Sequence, residues 1–244
     1  MSTQRHLRKR YSQYGLKRIV GTVTASYSKR GRMSRGRIIG LGMTLLALLV
    51  TGCAAPQFTY VTNSSAHTYF KVPNGWRQIT SSALNAAVKS APQSGVWTVG
   101  YDGDIRPAAN HVLGATDGAP FVYSVVAPVN QATTNALSYN QLRDFFLPVT
   151  AASRATAAKS GFPLTSFHLV RDSMLTLAQG VHGVRVTYEY TYPGVGINTF
   201  DQVALTNADD TEVYLLLVHC LASCYSKHLS QIDTVMNSFT VRSP

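Results

Sequence analysis

Apolar and polar positions alternate most regularly in the C-terminal half of the chain. Val184, Val186, Tyr188 and Tyr190 fall on one side of an extended segment, and Arg185, Thr187 and Glu189 on the other. A period of two with one apolar side predicts a strand covered on one face. Residues 167–176, 181–192, 198–206 and 212–219 read as four successive strands, joined by "AQGVHG", "PGVG" and "NADD", turn chemistry suited to antiparallel pairing. Upstream, 68–72 alternates and stops at Pro73-Asn74-Gly75. Extended structure resumes over 76–79 and recurs at 96–101 and 121–126. Helical spacing appears behind Ser81 or Ser82 (Leu84 and Val88) and over 138–161 (Leu142, Phe145 and Phe146), where Pro148 is a point of division. It appears again near the C-terminus (Leu229, Ile232, Val235 and Met236), before a short extended piece at 239–241. The predicted fold class is α+β, an antiparallel β-sheet with helices packed on it.

One apolar stretch follows neither period. Residues 38–50, "IIGLGMTLLALLV", are apolar without interruption by charge and run into Thr51-Gly52-Cys53. At about 1.5 Å per residue such a helix falls short of the ~30 Å hydrocarbon core, so a cleaved signal is expected in preference to a spanning helix. The charge distribution agrees. Eleven basic residues and no acidic one precede Gly52, whereas the other 11 basic residues are matched by all 11 acidic ones from Cys53 on. The formal +11 therefore belongs to the leader, and the domain carries no net charge that would imply nucleic acid. Val50-Thr51-Gly52-Cys53 closely resembles a bacterial lipobox. That resemblance implies cleavage before Cys53 and diacylglycerol on its thiol, anchoring the chain outside the cytoplasmic membrane. An ordinary signal with a chance cysteine, or a short anchor helix, is the alternative. Met33 begins a more compact signal, so residues 1–32 are either an over-extended start or a basic leader.

The expected organisation is thus 1–52 leader and signal, 53–66 a Ser/Thr/Asn-rich flexible tether, and 67–244 one domain. The order "YFKVPNGWRQI", "GVRVTYEYT", "FDQVALTNADDTEVYLLLVHC" and "VMNSFTV" resembles the PsbP-like α/β/α sandwich, a family that includes the extrinsic PsbP protein of photosystem II and LpqN-like envelope lipoproteins. The resemblance covers roughly 67–242 and is structural: its "VPxGW" and "SFxV" motifs imply packing roles for Trp76 and Phe239. It carries no shared active site.

Three constellations bear on chemistry. Cys220 and Cys224 are expected to pair as a disulfide in an exported chain; a zinc set with His219 and His228, and free thiols, are the alternatives. The zinc set is disfavoured because neighbours on a strand point to opposite faces. Asp102 and Asp104 flank Gly103 as in some calcium loops but lack the rest of the ligand run, so a solvated turn is expected. His168 and Asp172 share a strand as an unspecific general-base pair. A cleft lined by some of the chain's many aromatics would suit a lipid, glycan or small apolar molecule.

No catalytic residue, cofactor or metal site is assigned. The function expected is a membrane-anchored, monomeric, non-catalytic binding or accessory module, meeting an envelope protein or a small apolar ligand. A lipid-anchored hydrolase is the alternative.

Overall fold

Strand pairing sorts the described residues into two antiparallel sheets, not one. The computed structural model describes residues 57–89, 91–116, 118–130 and 137–242, all within the compact unit Gly52–Pro244. In chain order the elements are β1 (Phe58–Asn63), β2 (Thr68–Pro73), β3 (Arg77–Ile79), α1 (Ser81–Ala87), β4 (Trp97–Asp102) and β5 (Phe121–Pro128). Then come α2 (Tyr139–Arg143), α3 (Ala151–Lys159), β6 (Thr165–Thr176), β7 (His182–Tyr192), β8 (Gly196–Thr206) and β9 (Glu212–Leu221), closed by α4 (Ala222–Lys227), α5 (Leu229–Asn237) and β10 (Thr240–Val241). The large sheet runs β3-β4-β5-β9-β8-β7-β6 and the small one β1-β2-β10.

The four C-terminal strands form as the alternation predicts, but the expectation of one covered face is corrected. Leu215 and Leu217 of β9 enter the core beside Val184, Val186 and Tyr188, while Leu216 and Val218 enter a second core on the opposite face. Burial on both faces demands an unbroken apolar run, and "VYLLLV" in β9 is one. Each such leucine contributes about 1.5–3 kcal/mol relative to exposure. The small sheet and α5 cover one face through Phe70, Val72, Ile232 and Val235; Leu84 of α1 and Leu142 of α2 help cover the other. The result is a layered α+β sandwich. Leu84 reaches the sheet because position 100 has no side chain: a Cβ on Gly100 would lie 3.1 Å from Leu84 and from Phe121.

One further expectation is corrected and another is met. The flexible tether of 53–66 contains β1, which pairs with β2 from Phe58↔Pro73 to Asn63↔Thr68, because "FTYVTN" supplies the β-branched and aromatic residues a strand needs. Only Cys53 to Pro56 of that segment lies outside the described residues. The helical pattern of 138–161 divides into α2 and α3 around Pro148. There the Asp144 carboxylate accepts the Val149 and Thr150 N–H groups at 2.7 Å, satisfying backbone that a continuous helix would have bonded internally.

The C-terminal helices are fixed to the sheet by charge. Arg185 of β7 makes a bidentate pair with Asp201 of β8 (Nε–Oδ1 3.0 Å, Nη2–Oδ2 2.7 Å), with the two side chains 13% and 1% exposed. Tyr225 of α4 donates to Asp201 Oδ2 at 3.0 Å, and Arg185 Nη1 donates to Asn237 of α5 at 2.9 Å. Hydrogen bonding to Asp201 raises the Arg185 pKa above its ordinary value. Removing one member of a buried pair strands the other. Arg185→Met should therefore cost about 3–5 kcal/mol, and Arg185→Met with Asp201→Leu should recover most of that loss, as measured by urea unfolding.

Candidate functional site

The polar groups with the strongest physical constraints gather at one end of the large sheet, where β4 leaves for β5 and β9 leaves for α4. Register aligns Arg77, Asp102, Phe121, His219, Phe200 and Tyr188 in one row across six strands. Asp102 and Asp104 do not form the solvated turn expected of them. Asp102 is fully buried; its Oδ1 accepts the Asp104 N–H at 2.9 Å, and its Oδ2 accepts the Ala108 N–H at 2.9 Å and faces His111 Nδ1 at 2.7 Å. Asp104 in turn accepts the Arg106 N–H at 2.8 Å. The carboxylates clamp the loop after β4, and local backbone N–H groups occupy the acceptors a cation would use.

His219 sits deeper in the same row. It is fully buried, stacked on Phe200 (5.2 Å, 20°) and tilted against Phe121 (5.8 Å), and its Nδ1 lies 3.3 Å from Asn198 Nδ2. Asn198 donates to Nδ1, which leaves the proton on Nε2. Nε2 itself has no partner of hydrogen-bond geometry, although the Val112 backbone is near enough to favour the charged form somewhat. Burial, and secondarily His111, push the imidazole down to about 3. The ring therefore acts as a neutral aromatic plate.

Cys220 and Cys224 form the expected disulfide, with Cα atoms 5.9 Å apart, at the passage from β9 into α4. Closing so short a loop contributes about 2 kcal/mol. The zinc set is thereby dissolved, and among the described residues no group of three His, Cys, Asp or Glu side chains is arranged for a metal. His168 and Asp172 are separated, not joined. His168 meets Glu189 at 3.1 Å and Asp172 meets Arg143 at 2.8 Å. A register shift between Leu169 and Arg171 inserts one residue into β6 and sends the two side chains to opposite faces. Cys53 lies outside the described residues.

The aromatics divide in a way composition does not reveal. Tyr188 and Tyr190 are core, Trp76 and Phe239 pack against the core shared with the small sheet, and Tyr60 is exposed. An open groove of about 520 Å³ lies between α3 and the start of β6, walled by Phe162, Phe167, Tyr190 and the alanines of α3, with the Arg154 guanidinium 4.2 Å from the Phe167 ring centroid. It matches the apolar cleft in kind, though Tyr190 is the one wall residue drawn from the strand tyrosines. A second open groove of about 600 Å³ follows α5 beside Lys71 and has no aromatic wall. The residues missed from sequence are Arg185, Asp201 and Tyr225; a lone acid inside the apolar run "FDQVAL" was the available signal.

The sign of the His219 effect follows from its depressed pKa. The unfolded chain takes up a proton below about 6.5 while the folded chain does not, so this contribution is complete above pH 6.5 and is lost progressively as the pH falls toward about 3. His219→Phe should flatten the decline in stability across that window, measured by urea unfolding at stepped pH. At pH 7 the change should cost about 1–3 kcal/mol, because Asn198 loses its partner.

No family model matches the chain, and no curated protein matches it. Among solved structures it is similar to the cyanobacterial PsbP (CyanoP) of Synechocystis sp. PCC 6803, at 15% identity and TM-score 0.49 over 78% of this chain and 96% of that one. It is similar to LpqN of Mycobacterium tuberculosis, at 13% identity and TM-score 0.39 over 77% of this chain and 91% of that one. The Ran-binding protein Mog1p of Saccharomyces cerevisiae matches at 6% identity and TM-score 0.41, over 75% of this chain and 95% of that one. At such identities no residue role passes from one chain to another.

Proposed function

We propose that the chain is an exported lipoprotein, acylated on Cys53, whose folded domain acts as a non-catalytic binding or accessory module at the outer face of the cytoplasmic membrane. The observation that carries it is the succession of 11 unopposed basic residues, the apolar run 38–50 and Val50-Thr51-Gly52-Cys53. The Cys220–Cys224 bridge supports the same compartment, because disulfides persist where the surroundings oxidise. No helix among the described residues is long and apolar enough to cross a membrane.

The polar clusters favour a binding module over a hydrolase. Asp102–His111 is the dyad a hydrolase would draw on, yet among the described residues no Ser, Thr or Cys side chain is bonded to its imidazole as a nucleophile would be. Asp201 is held by Arg185 and Tyr225, and His219 is sealed away from solvent. A lipid anchor raises the local concentration of such a module at the bilayer, so weak contacts there are occupied.

Mass spectrometry of the membrane fraction should find the mature chain beginning at a diacylglycerol-modified Cys53, and Cys53→Ala should leave the chain unprocessed or released. A soluble chain with an unmodified Cys53 thiol would refute the anchor. Ester, peptide or glycan turnover abolished by His111→Ala in a folded protein would establish the hydrolase instead.

A further inference from the structure

The end of the sheet that holds the Asp102 loop is also the end from which the chain leaves toward Cys53. Asn74 donates its N–H to the Gln57 carbonyl at 2.9 Å, and the next turn brings Trp76 against Gly103, where a Cβ would lie 3.0 Å from the indole. Four Cα–Cα steps separate Gln57 from Cys53, at most about 15 Å. A lipid on Cys53 therefore holds this end of the domain close to the bilayer.

That same end displays apolar side chains the fold does not use. Ile105 is 94% exposed at the tip of the clamped loop, Leu113 follows the 3-10 turn Ala109–Val112, and Val195 (60% exposed) and Ile197 lie at the β7–β8 turn. The two loops are tied together, because Tyr192 donates its hydroxyl to the Leu113 carbonyl at 2.8 Å. The β7–β8 turn is itself rigid: Pro193 and Gly194 (φ +76°) suit a type II turn closed by the Val195 N–H on the Tyr192 carbonyl. Isolated exposed apolar residues are ordinary, but four on adjoining rigid loops form a surface. Exposed Arg77 and Arg106 stand at this end with Asp104 and the buried Asp102, whereas the opposite end carries Asp209 and Asp210 in its β8–β9 turn and Glu212 at the start of β9.

We infer that this end of the domain is a bilayer-docking face, Ile105, Leu113, Val195 and Ile197 entering the headgroup–acyl boundary while Arg77 and Arg106 meet anionic lipid headgroups. The inference rests on the lipoprotein assignment above. The chemistry is that of peripheral membrane contacts, in which apolar residues enter the interface and cations are drawn to the negative surface. Docking would hold the domain with its acidic β8–β9 turn away from the membrane and its α5 groove at the side, while the α3–β6 groove, which opens beside Thr165 and Tyr190, lies at the docking end itself. The anchor alone would leave it free to tumble.

The test uses the lipidated full chain purified from membranes. With Cys53 acylated and Cys220 bridged to Cys224, Ile105→Cys provides a single free thiol for an environment-sensitive fluorophore without reductant; Asp209→Cys labels the opposite end. In vesicles of phosphatidylglycerol and phosphatidylcholine, the label at 105 should shift to shorter wavelength and be quenched by doxyl-labelled lipid, while the label at 209 stays aqueous. Arg77→Glu with Arg106→Glu, or vesicles of phosphatidylcholine alone, should reduce the quenching several-fold, since each cation near an anionic surface is worth roughly fivefold in binding. An acylated protein whose two labels are equally aqueous would overturn the docking face and leave the anchor standing. Absence of the acyl mass would refute the anchor itself. A spectral shift at 105 that depends on protein density and is not quenched by doxyl lipid would assign the face to a second copy of the chain and overturn the inference.

Discussion

Asp201 places a carboxylate, 1% exposed, in the middle of a strand buried on both faces, and the surrounding architecture is arranged to answer it. Arg185 neutralises it from β7, Thr187 lies 3.4 Å away, and Tyr225 reaches it from α4. Asn237 and Asp233 of α5 then grip the far side of the same guanidinium. Such a cluster adds little net stability over an apolar core of equal volume, but a helix pair shifted out of place would strand a charge. It specifies where α4 and α5 sit. Because β10 follows α5 directly and pairs with β2, it also fixes where the small sheet closes over the large one.

The opposite face is organised by stacking. Phe121, His219, Phe200, Tyr188 and Phe167 form a ladder across the sheet with centroid spacings of 5.2–6.2 Å. Cross-strand aromatic pairs strengthen each register they span. The Tyr188 hydroxyl does not go unmet, since it lies 3.4 Å from Gln202, whose amide donates to the Leu142 and Arg143 carbonyls that end α2. Polar side chains on this face therefore connect the sheet to the helix above it.

The strands from β6 to β9 were legible because alternation and turn residues are local properties, and so was the Cys220–Cys224 bridge. What escaped was set by non-local register. No local pattern distinguishes β1 from a polar tether until β2 lies beside it. The extra residue in β6 that parts His168 from Asp172 is visible only in the pairing with β7. Asp102 looks like any loop acid in sequence; its burial follows from a place in a row whose other members lie as far off as His219, 117 positions away. Ile105, Leu113, Val195 and Ile197 likewise look like isolated exposed residues until the topology sets their loops side by side.

The edges of the large sheet bear on how the protein behaves at high concentration. One edge is β3, only three residues long. The other is β6, twelve residues long and mostly exposed, which would offer an inviting template for another chain if it were flat. It is not flat: its register with β7 shifts twice, Ser166 adopts φ +52°, and Arg171 and Asp172 put charges of both signs at its centre. A strand so bent and charged presents its free backbone groups out of step with any incoming strand. The protein can thus reach high concentration without its large sheet fusing edge to edge into aggregates.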